Sequence, residues 1–165
     1  KLIWFSQGVP RFAFITWLVF RDRLATGHRT QNGVSRKVAH SVANRMRLVT
    51  IFSLPVRTLL HIWLQVVRSL LGAEPDPDWE TTSLQFLTRT YCRLTFILLR
   101  LVLQVSIYFI WRERNDRKHN SITKPVDQLV RLIDKTVKNR IMSTKYYMKP
   151  KLHGLMARWF EAHMS

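Results

Sequence analysis

Cysteine is almost missing from this sequence: Cys92 stands alone among 165 residues. One thiol cannot close an internal disulfide, and a lone cysteine in an apolar segment reads as a small core residue. Glycine is scarce too, five in all and scattered, so there is no glycine-rich phosphate loop. Acids number ten against 27 Lys and Arg. Four of those ten (Glu74, Asp76, Asp78 and Glu80) crowd into "AEPDPDWE", where two prolines make a solvated loop. No paired aspartates stand on a strand–turn pattern, as two-metal phosphoryl chemistry would need. His28, His40, His61, His119, His153 and His163 are dispersed, none at metal-ligand spacing from another or from Cys92. The residues taken alone predict neither catalysis nor zinc binding.

What is abundant is apolar and basic. Hydrophobic residues make up 47% and aromatics 12%, enough for one domain with a real core rather than a disordered chain. The net charge of +17 and a pI of 11.2 exceed what solubility requires. Such an excess favours a polyanionic partner, nucleic acid or an anionic membrane surface, over a small-molecule substrate. Drift in a sequence under no selection is the bland alternative. "FAFITWLVF" is apolar, but "RDRLATGHR" follows it with no small-residue cleavage site, so secretion is not expected. Nucleus or cytoplasm is expected ahead of membrane. With Lys1 in place of an initiator methionine, the chain reads as a fragment.

Along the chain the pattern is helical and no strand alternation persists. The fold class expected is mainly α, a small helical domain with one long central amphipathic helix and an irregular segment at 34–58. Pro10 suits a first turn, with Phe14, Trp17, Leu18 and Leu24 as the apolar face behind it. Segment 34–58 has five basic residues, no acid and weak periodicity. Segment 59–72 reads as a short amphipathic helix ended by Gly72. Asp78 is a candidate N-cap for the longest pattern, 80–119. Within it, 94–110 looks like a membrane span, but it is short of the roughly 20 residues a bilayer core asks for. It also carries Arg100 at its middle. Arg89, Arg93, Arg100 and Gln104 recur at spacings of four and seven, a polar stripe on an otherwise buried helix. That favours a core helix; a small membrane-associated basic protein centred on 94–110 is the alternative. Val126, Leu129, Val130, Ile133 and Val137, behind Pro125, predict another helix, and Leu152, Leu155, Met156, Trp159 and Phe160 a last one.

From Trp111 to Lys151, twelve Lys and Arg stand against four acids, with aromatics interleaved. Cations can neutralise phosphates, and aromatic faces can stack on bases. The candidate nucleic-acid contacts are Arg112, Arg114, Arg117, Lys118, Lys135, Lys138, Arg140, Trp111 and Tyr146. The competing reading is a solvated helix face on which Arg117 or Arg112 pairs with Glu113.

"IYFIWRERNDRKHN" resembles the end of the zinc-binding domain attached to reverse transcriptases of plant non-LTR (LINE-type) retrotransposons. Three further blocks agree in order: "WFSQGVPRFAFITWLVFRDRLATGHR" with the family's opening, "HIWLQVVRSLLG" with its post-zinc helix, and "LIDKTVKNRI" with "KLHGLMARWFEAH" as the tail. The resemblance implies a degenerate zinc-binding-like domain over 1–120 and a basic helical tail over 121–165. It implies a non-catalytic accessory module that works beside a reverse transcriptase on RNA or DNA. The polymerase, endonuclease and RNase H residues of such an enzyme are missing from the chain.

The family's zinc ligands are a Cys–x–x–Cys pair, an acidic–Thr–Arg–Asp–His stretch and a further Cys. Here "RKVAHSVANRMRLVTIFSLPV" takes their place without a cysteine, so no zinc is expected. The expectation is that 34–58 is an out-of-frame translation across a degenerate zinc-binding motif, restored near His61. Codons read from the third base of each residue let Val38–Ala39 and Ser41–Val42 both spell Cys, in the family's spacing. Arg45 through Ile51 can then spell Asn–Glu–Thr–Arg–Asp–His, with the third base of each codon left free. A final Cys, from Leu54–Val56, needs the third frame. A module that has lost its zinc has also lost the folding energy the metal supplies.

Overall fold

The computed structural model describes residues 2–21, 23–24, 56–71 and 91–164. Among them are five α-helices and no strand, as the periodicity predicts. They are α1 (Pro10–Phe20), α2 (Val56–Val67), α3 (Arg93–Asn120), α4 (Val126–Ser143) and α5 (Leu155–Met164). A 3-10 turn, Arg68–Leu71, extends α2, and two more, Tyr146–Met148 and Pro150–Leu152, join α4 to α5.

The long helix α3 is the axis of the fold. Its 28 residues run about 42 Å, and α1, α2, α4 and α5 all pack on it. Every residue from 97 to 108 is buried, so no side of this stretch faces water. A helix apolar all round belongs either in a protein core or in a bilayer. Here 78% of its apolar window is covered by the fold itself. Arg100 and Gln104 correct the expected solvent-facing stripe: both are buried, beneath the segment that precedes α1. The Arg100 guanidinium lies 3.8 Å from the Phe5 ring centre and 4.7 Å from that of Phe96. Burial pushes its pKa below the ordinary arginine value. Gln104 Nε2 donates to the Ile3 carbonyl. Of the described stripe residues, only Arg93 is exposed.

Proline begins two helices as expected. Pro10 takes the first position of α1, where its missing N–H is one of the unpaired donors anyway, and Pro125 caps α4. The face of α1 differs from expectation. Ala13, Ile15, Thr16 and Val19 are buried and Phe14 is half exposed, because α1 packs along α3 through Phe12, whose ring stands 4.5 Å from Tyr108. Residues 56–58, expected to be irregular, are the first turn of α2, and 34–55 lie outside the described residues. α3 starts at Arg93; residues 80–90 and the Asp78 cap lie outside as well.

α4 buries Leu129, Ile133, Val137 and Ile141, one residue per turn, against α2 and α3. α5 inserts Trp159 without exposure, and its indole Nε1 donates to Asp134 Oδ1 at 3.2 Å. Residues on both sides of Asn120 enter one hydrophobic core.

Candidate nucleic-acid interface

The predicted contact residues divide by what their side chains already hold. Arg140 is committed to the fold: Nε donates to the Gln7 carbonyl at 2.6 Å and Nη2 to the Gly8 carbonyl at 2.8 Å. Arg114 is buried and donates to Asn115 Oδ1 at 3.5 Å. Arg117 Nε donates to Glu113 Oε1 at 2.9 Å, and Lys138 Nζ to Asp134 Oδ2 at 2.8 Å, both one turn apart on their helices. Trp111 and Tyr146 are half-buried against the core. Arg112, Lys118 and Lys135 remain, exposed and without a salt bridge among the described residues.

Glu113 explains how the charged block ends α3. Its side chain is fully buried, yet Oε1 accepts from Arg117 and from the Lys124 backbone N–H at 2.8 Å. Lys124 Nζ reaches Asp116 Oδ2 at 2.7 Å and lies 3.6 Å from Glu113 Oε2. The hydrogen bond from Lys124 holds the Asp116 carboxyl below its ordinary pKa, and the same bond raises Lys124 above its own. Helix α3 then stops on Ser121 in the left-handed region (φ 53), with the Ile122 N–H turned back to the Asp116 carbonyl. So three of the four acids between 111 and 151 neutralise neighbouring cations, and only Asp127 stands exposed.

Between 111 and 151 four exposed cations stand outside the expected contacts: Arg131, Lys145, Lys149 and Lys151. Arg131 and Lys135 follow one another by a turn on the side of α4 opposite Leu129, Ile133 and Val137, and the three lysines continue along the turns beyond it. The available signal was the same apolar period read from its other side. Tyr146 and Tyr147 are both among the interleaved aromatics, and Tyr147, not the expected contact Tyr146, is the exposed member of the pair at 57%.

No group of three or more His, Cys, Asp or Glu among the described residues could hold a metal ion. The Cys92 sulfur lies 3.1 Å from Thr95 Oγ1, a hydrogen bond that lowers the thiol pKa. Positions 34–55, which take the place of the resembled family's zinc ligands, lie outside the described residues. Comparison with known protein families, curated proteins and solved structures finds no match to this chain.

Proposed function

We propose that the chain is a retrotransposon-derived, non-catalytic accessory fragment of a reverse transcriptase that associates with nucleic acid through the outer side of α4 and the turns after it. The observation that carries the binding reading is the run of exposed cations on the outer side of α4 and the turns after it that have no salt bridge among the described residues: Arg131, Lys135, Lys145, Lys149 and Lys151. Cations that do not pair internally are available to displace condensed counterions from phosphates. The origin rests on the four sequence blocks in family order. The apolar segment behind the membrane alternative is largely spent on core packing.

Binding is tested by fluorescence anisotropy of labelled RNA and DNA oligomers over a salt series. Five phosphate contacts give a slope of about −3.5 to −4.5 in log affinity against log salt. Replacing Arg131 and Lys135 together by Glu weakens binding to every sequence and flattens the slope by about one per residue. A salt-independent affinity, or a double variant that binds like the parent, refutes the reading. The origin is tested on the genomic DNA, where codons unable to spell the shifted Cys and His residues would sink it.

A further inference from the structure

We propose that the turn 145–151 is a stacking platform for single-stranded nucleic acid, with Tyr147 as the residue that takes the base. This rests on the binding reading above and narrows it to one strand form.

The platform is built by the backbone. Thr144 Oγ1 donates to the Ile141 carbonyl at 2.6 Å, closing α4. Lys145 then adopts the left-handed conformation (φ 50), which turns the chain out of the helix direction. The N–H groups of Met148, Lys149 and Leu152 each reach back three residues, at 3.0, 3.1 and 2.8 Å, through two consecutive 3-10 turns. Leu152 anchors the far end in the core at 3% exposure. A turn ordered in advance loses little conformational entropy when it binds.

The aromatic pair has a supporting member and a presented one. Tyr146 packs on the core, and Tyr147 stands edge-to-face on it, with ring centres 5.7 Å apart and planes at 84°. Among the described residues Tyr147 meets no other ring, and it is 57% exposed beside Met148 at 67%. An exposed aromatic held by a fixed neighbour is a base-stacking surface.

The charge around it has one sign. From Lys135 to Phe160 the sequence has seven Lys and Arg and no acid. Lys145, Lys149 and Lys151 flank the tyrosine and are all exposed. A duplex could use those cations, but its bases are stacked on one another and offer the ring nothing. Unpaired bases offer both a phosphate chain and a free face.

The test uses the full chain with fluorescein-labelled oligodeoxythymidylate and a blunt duplex of equal length. Tyr147→Ala is expected to weaken binding of the single strand about 5- to 100-fold and of the duplex less than about twofold. Tyr147→Phe should restore the single-strand affinity. Circular dichroism and thermal unfolding of both variants should match the parent, since the side chain lies outside the core. Failure of Tyr147→Phe to restore binding in a folded protein overturns the proposal. So does equal loss on both probes, or Tyr147-dependent binding to phosphatidylserine vesicles in place of the oligomer. A parent chain that binds both probes while Tyr147→Ala changes nothing refutes the platform alone. A parent chain that binds neither refutes the nucleic-acid reading with it.

Discussion

Arg140 shows how little a residue's type says about its use. It was expected on a nucleic-acid surface; its guanidinium instead joins two carbonyls more than 130 residues away, with a further bond from Nη1 to Ser143 Oγ. A planar fork can serve two adjacent carbonyls at once, which a lysine ammonium does less well. Arg140→Ala is therefore expected to destabilise the chain by about 2–3 kcal/mol, read from urea unfolding, because two carbonyls lose charged donors. Arg140→Lys should recover only part of that. Neither substitution should abolish oligonucleotide binding in the folded protein, which separates this arginine from Arg131 and Lys135. Lys135 and Arg140 look alike in the sequence. Only the chain's path past Gln7 and Gly8 tells them apart.

Among elements, the link between α3 and α4 depends on one buried carboxylate. Glu113 pairs with Arg117 on its own helix and accepts the Lys124 N–H from the linker, so it fixes both the end of α3 and the approach to α4. Glu113→Ala is expected to cost about 1–3 kcal/mol in urea unfolding, the lower end reflecting that both cations can reach water when it is removed. The helices themselves were legible from the sequence. Pro10 and Pro125 marked two starts, and the three-four spacing of Leu129, Ile133 and Val137 marked the buried side of α4. What was illegible depended on contacts between distant segments. Arg100 and Gln104 have the spacing of a wet stripe, yet the segment before α1 covers them. Phe14 has the spacing of a core face with Trp17 and Leu18, yet it is half exposed, while Ala13 and Thr16 are buried in its place. Of the candidate interface, the excess of cations was readable and their availability was not, since that depends on which acids fold back on them.

At the scale of the molecule, the described residues are arranged around 97–108, a stretch enclosed on every side. Opening free energies are largest where burial is most complete and apolar contacts are densest. In native-state hydrogen exchange, amides of that stretch should exchange last and only through global unfolding. Those of 145–151 should exchange earlier, ahead of the α4 core positions. Protection spread evenly over both regions would contradict this arrangement of stability. The clamp from Arg140 to Gln7 and Gly8 has a consequence of another kind, for synthesis. The segment at 2–20, rich in Trp and Phe, finds its landing site only when α3 and α4 have been made. At ordinary elongation rates about 6–24 s separate the translation of α1 from that of Arg140. Through that interval Phe5 and Phe12, whose partners are Arg100 and Tyr108, leave the ribosome with no partner to meet, and chaperone demand during translation should centre on them.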